Sequence, residues 1–154
     1  MTFFLYTVLS WVAIICWVRC SKPLSLLNNI FLFCVFSMLT MNVITILGLN
    51  LGLLKVNTDY EAFLSLVLYR NFIIPLSFLF IINKYVNAGS KTKRLWVICL
   101  GEGVLVLEDL LAQYMNVLTY IKWSTWYSLG TIFLYMVGGI YLARWFERVE
   151  KKEA

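Results

Sequence analysis

Five apolar stretches follow one another along the chain, each close to the ~20 residues a helix needs to cross a bilayer core of roughly 30 Å. They cover residues 2–18, 30–52, 62–82, 95–115 and 124–143, and only short polar breaks separate them. Lipid offers no hydrogen bonds to the backbone, so a spanning segment must satisfy its own N–H and C=O groups. Each stretch therefore reads as a helix. The fold class that follows is all-α: a polytopic transmembrane bundle of five helices forming a single domain over residues 1–154.

Composition agrees with that solvent. Hydrophobic side chains make up 62% of the 154 residues and charged ones 14%, whereas a soluble domain carries ~45–50% and ~25%. Too little polar surface exists to wet a soluble particle, which excludes soluble enzymes, nucleic-acid-binding modules and disordered chains. Arg19 and Lys22 close the first stretch ahead of a turn at Pro23, and surplus length in the second is absorbed by tilt or an interfacial first turn. Residues 83–94 form the longest loop. The fifth stretch continues as a charged helical tail, residues 144–154, with Glu147 and Lys151 at i,i+4 spacing.

Basic residues fix the expected topology. One side carries Arg19, Lys22, Lys84, Lys91, Lys93, Arg94, Arg144, Arg148, Lys151 and Lys152, ten of the thirteen Lys and Arg, against Lys55 and Lys122 on the other. The positive-inside rule then puts the amino terminus outside and the carboxy terminus in the cytoplasm, at a cell membrane. The net charge of +5 is thus a membrane signature and not a sign of nucleic acid. Anionic lipid headgroups are the partners it implies, at the basic loop 84–94 and the tail 144–152. Tyr60, Tyr120, Trp123 and Trp126 fall near the outer boundary and Trp17, Tyr85, Trp96 and Trp145 near the inner one, as aromatic belts do. The first helix reads as a retained anchor, because no basic segment precedes it and no small-residue cleavage site follows. Cys16, Cys20, Cys34 and Cys99 lie in the cytoplasmic half, where thiols stay reduced; Cys20 is placed for acylation.

Ionisable groups at membrane depth cost ~2.5–3.5 kcal/mol each, so they point to function or to specific pairing. Arg70 lies on the third helix and Glu102, Glu108 and Asp109 on the fourth. At a rise of about 1.5 Å per residue, Arg70 sits about 3 Å and Glu108 about 4.5 Å to the outer side of the midplane, level with one another. Glu102 and Asp109, seven residues apart, share a helix face that Gln113 extends, while Glu108 points elsewhere. One arginine does not neutralise three carboxylates. Protonation, a bound cation, a water-filled cavity or a basic residue on a partner must supply the balance. An Arg70–Glu108 tie between two helices is the plainest arrangement.

Other polar side chains on the second and third helices, among them Ser77, Thr40 and Asn71, serve as interhelical glue, and Pro75 is expected to kink the third. Gly48 and Gly52 form a GxxxG step on the second helix. Gly101 and Gly103 flank Glu102, and Gly139 with Ala143 makes a small-xxx-small step on the fifth; these five glycines are the candidate helix-packing positions.

Catalytic signatures are missing. The chain has no His, no phosphate-cradling glycine loop and no nucleophile elbow, and its cysteines lack metal-ligand spacing. No catalytic residue, metal site or cofactor is assigned.

The run Arg70, Asn71, Phe72, Ile73, Ile74, Pro75, an acid deep in the next helix (Glu108), and then Tyr120, Trp123, Trp126 and Ser128 resembles uncharacterised small five-helix membrane proteins of Gram-positive spore-forming bacteria. The similarity covers about half the chain, and the Asn-Gly that precedes the first of the paired tryptophans in that group is absent here. The resemblance implies a five-helix topology in a bacterial cell membrane and carries no activity.

These readings converge on a non-enzymatic multi-pass membrane protein, an assembly or accessory component joined to further copies of itself or to a larger complex through intramembrane charged contacts. The alternative is an oligomeric proton- or cation-coupled transporter or channel using Glu102, Glu108 and Asp109.

Overall fold

The computed structural model describes residues 1–153, apart from the side chains of Leu49 and Glu153. Five long helices run up and down: α1 (Thr2–Arg19), α2 (Leu26–Thr45, extended by a π-helical turn Ile46–Asn50), α3 (Tyr60–Asn87), α4 (Lys91–Tyr114) and α5 (Thr125–Glu153). All but α4 are long and apolar enough to cross a membrane. α4 matches them in length but carries Glu102, Glu108 and Asp109 along its middle.

Between the helices lies an element that hydropathy does not announce. β1 (Leu54–Val56) pairs antiparallel with β2 (Leu118–Tyr120), Leu54 opposite Tyr120 and Val56 opposite Leu118. This ribbon closes one end of the bundle. Gly52 turns the chain into β1 with φ of +59°, a left-handed conformation that favours glycine. Gly52 thus lies beyond the α2 helix, and Gly48 faces Leu54 and Val56 of β1. The expected GxxxG packing step is replaced by a helix-to-ribbon turn.

α2 starts four residues earlier than hydropathy suggests. Ser25 caps it by accepting from Asn28 N–H at 3.1 Å, and the two asparagines of its first turn, Asn28 and Asn29, are buried. Asn28 Nδ2 donates to Ala143 O on α5 at 2.9 Å, and Asn83 Nδ2 of α3 donates to Asn29 Oδ1 at 2.7 Å. At the far end α5 carries straight on through the tail, where Lys151 and Glu147 pair at 2.7 Å as their spacing implies.

α3 is the axis of the bundle and touches all four other helices. Its course changes at a π-helical turn, Tyr69–Ile73, where Ile74 N–H reaches back five residues to Tyr69 O. Pro75 explains it. Proline has no N–H to give and its ring crowds the carbonyl four residues earlier, so the ladder widens ahead of it. Two buried clusters meet along α3: Phe36, Phe78, Ile82 and Met136 at mid-bundle, with Phe36 and Phe78 stacked at 4.7 Å, and Tyr6, Leu66, Tyr69 and Val117 beneath the ribbon.

The remaining glycines divide cleanly. A Cβ on Gly101 would come within 2.7 Å of Ile81, and one on Gly139 would run into Phe36 and Ile82. These two let α4 and α5 approach α2 and α3. Gly103 meets open space and packs against nothing within 4 Å. All four cysteines are free thiols.

Candidate functional site

α4 turns Glu108 and Asp109 to different neighbours, as a 100° step per residue requires. Asp109 is buried and ends in a network built by the last residue of β2 and the segment that follows it. Tyr120 of β2 donates its phenolic proton to Asp109 Oδ2. With that proton committed, the 2.5 Å bond between Tyr120 and Ser128 is donated by Ser128 Oγ, which itself accepts from Trp123 Nε1 at 2.9 Å. Burial, followed by the neighbouring Asp109 carboxylate, pushes the Tyr120 phenol well above its ordinary range and keeps it a donor at any physiological pH. The network lines a cavity of about 90 Å³ whose walls also include Thr40, Tyr69, Phe78, Leu105 and Tyr135.

Glu108 has a different setting. Ser77 of α3 donates to its Oε1 at 2.6 Å, while Oε2 is buried with no partner. The carboxyl lines an open trough of about 620 Å³ whose floor is α3, from Ile73 to Lys84, and whose banks are α1, from Leu9 to Cys16, and α4, from Val97 to Leu111. Glu108, Ser77 and Lys84 are the polar side chains among otherwise apolar walls of Leu, Ile, Val, Phe and Ala with Cys16 and Gly101. At about 1.5 Å per residue, the α3 stretch from Ile73 to Lys84 alone runs about 16 Å along the helix axis. That volume lies in the 300–1,000 Å³ range typical of ligand sites.

The expected Arg70–Glu108 tie does not form. Among the described residues the ion pairs are Met1 N with Glu61 and Lys151 with Glu147, and neither lies inside the bundle. The π turn that carries Arg70 packs on α1 and α2, and Arg70 Nε is buried without a partner. Ser77, seven residues further along, takes the place beside Glu108.

Glu102, Asp109 and Gln113 share a stripe on α4 yet do not converge. Glu102 Oε1 and Gln113 Nε2 are buried and unpartnered, and neither residue lines the cavity or the trough. Of the five residues expected within the membrane, Asp109 and Glu108 line the cavity and the trough. Sequence reading placed Tyr120 and Trp123 in an aromatic belt and Ser77 among glue residues, and so missed their roles beside the acids. The ribbon, which swings β2 back over α4, is what brings Tyr120 to Asp109.

Compared with known protein families, characterised proteins and solved structures, the chain finds no match.

Proposed function

We propose that this protein is a five-span component of the cell membrane, amino terminus outside and carboxy terminus cytoplasmic, that acts without chemistry of its own by receiving a transmembrane helix of another protein in the trough between α1 and α4. The observation that carries this reading is Glu108, which lines an elongated apolar trough and whose Oε2 is a buried acceptor without a donor. An unsatisfied buried acceptor costs about 1–3 kcal/mol, and a passing lipid chain has no donor to relieve it. A helix bearing an amide, hydroxyl or basic side chain at that depth does. Such a helix also lies along the trough, parallel to its banks, and covers apolar side chains that α1 and α4 leave open, among them Val12, Leu100, Val104 and Leu107.

The topology rests on ten basic residues at the end away from the ribbon and on α4 spanning the membrane inside the bundle despite its acids. Asp109 is held by Tyr120 and Glu102 stands apart, so Glu108 is the contact residue of the three.

Photo-crosslinking in native membranes tests the reading. A photoreactive residue at Val104 in the trough should capture one discrete protein, and Glu108→Ala should reduce that capture at least five-fold. The same probe at Leu134, on the exposed face of α5, should capture none of it. Lipid-only adducts at Val104, a captured second copy of this chain, or capture indifferent to Glu108 would each overturn the proposal.

A further inference from the structure

Tyr85, near the end of α3 opposite the ribbon, carries two guanidinium groups from two other helices. Arg94 of α4 has its Cζ 5.5 Å from the ring centroid, and Arg144 of α5 lies 5.7 Å from it. Arg94 is oriented further, because its Nε donates to Ala88 O at 3.0 Å. That bond leaves its two terminal nitrogens without a protein partner among the described residues.

Neither arginine has a carboxylate within ion-pairing distance among the described residues, since the pairs lie at Met1–Glu61 and Lys151–Glu147. Two cations that stand 5.5 and 5.7 Å from one ring centroid repel one another, and an anion that meets both relieves that repulsion. Among the described residues, acids do not fill that role: Glu147 is taken by Lys151, Glu150 pairs with neither arginine, and Asp59 and Glu61 stand at the far, ribbon end. Lys84 and Lys22, each over an aromatic ring (Phe80 and Trp17), add to the positive field at this end of the bundle.

From this arrangement we infer that Arg94 and Arg144, presented on Tyr85, form a binding site for a phosphate group, and that its source is the headgroup of an anionic membrane lipid. Guanidinium groups suit phosphate because their planar N–H pairs match its oxygens in bidentate fashion. The aromatic ring fixes both arginines before the ligand arrives, which lowers the ordering cost of binding. The site lies at the rim of the bundle, where the proposed topology places lipid phosphates, and it is separate from the trough.

The test uses the full chain purified in zwitterionic detergent, with retention of phosphatidylglycerol against phosphatidylcholine measured by native mass spectrometry. Wild-type protein should retain phosphatidylglycerol preferentially. Arg94→Gln with Arg144→Gln should weaken that retention at least ten-fold, whereas Lys91→Gln with Lys93→Gln, which removes the same charge from the same end, should cost less than three-fold. Should the arginine pair fail to fold, Arg144→Gln alone, at an exposed position, should give a graded loss of about three-fold or more. Equal losses from the two double variants, no preference for phosphatidylglycerol in wild type, or no loss in Arg144→Gln would overturn the inference. So would full displacement of the lipid by millimolar inorganic phosphate, which would mark a site for a free anion instead.

Discussion

Two adjacent carboxylates on α4 meet opposite fates. Asp109 turns into the bundle beneath the ribbon and finds Tyr120, with Ser128 and Trp123 behind it; Glu108 turns to the trough and finds only Ser77. The same division runs the length of the helix. Gly101, Leu105, Asp109 and Ala112 are buried, while Gly103, Leu107, Leu110 and Tyr114 are exposed. One face of α4 belongs to the fold and the other is left to the surroundings. The lesson is that an acid midway along an apolar helix is not in itself a functional mark: what separates the two is whether the chain completes the hydrogen bonds.

The largest expected effect sets the two faces apart through their glycines. Gly101→Leu forces a side chain into Ile81, which a Cβ alone would already approach to 2.7 Å. Overpacking of this kind costs about 1–3 kcal/mol or more. Gly103→Leu projects into open space and should lose no stability, since relief of a mid-helix glycine is worth about 0.5–1 kcal/mol. Thermal unfolding of both variants in one detergent checks the pair; equal losses would erase the distinction between the faces.

Next in size is the network itself. Tyr120→Phe keeps the ring but removes the donor to Asp109 and the acceptor for Ser128, leaving buried polar groups unsatisfied at about 1–3 kcal/mol. Ser77→Ala removes the single bond to Glu108, beside an open trough, and should cost about 0.5–1.5 kcal/mol. Melting temperatures ordered Tyr120→Phe below Ser77→Ala below wild type would support the contrast. The reverse order would mean that Glu108 is the structural acid.

Much of this was legible in the sequence, for reasons that also mark the limits. Hydropathy over about 20 residues records burial in lipid, so the five helices and their order emerge directly. The helical period separates Glu108 from Asp109, and the Gly139–Ala143 step seats Phe36, Ile82 and the Asn28 bond to Ala143 O. A three-residue strand, by contrast, is too short to show alternation, so β1 and β2 left no signal. Without the ribbon, Tyr120 reads as an interfacial aromatic and Gly48 with Gly52 as a packing motif. Asn28 and Asn29 fall outside the apolar stretch 30–52, because burial of an amide depends on partners on distant helices, here Ala143 O and Asn83 Nδ2, which local pattern does not contain. The level match of Arg70 and Glu108 was a statement about depth alone. Rotation about α3 was altered by the π turn ahead of Pro75, and an ideal helical wheel does not anticipate that.

The smallest expected change in stability carries the sharpest comparison, because one chemical edit is made at both acids. Carboxylate to amide preserves volume and one carbonyl oxygen. At Glu108 the amide still accepts from Ser77 and its NH₂ replaces an oxygen that already has no partner, so no bond is lost and Glu108→Gln should alter stability by about 0.5 kcal/mol or less. At Asp109 the carbonyl still accepts from Tyr120, but the NH₂ is enclosed in a buried network and must find an acceptor, at a cost of about 1–3 kcal/mol when it does not. Function should divide the other way. Glu108→Gln converts an acceptor facing the trough into a donor against the proposed partner's donor, and capture through Val104 should fall at least as far as with Glu108→Ala. Asp109→Asn, once folded at reduced temperature, should retain capture within two-fold. If Asp109→Asn abolishes capture while the bundle is intact, the partner reads the buried face, and the division of α4 into a structural and a receiving side fails.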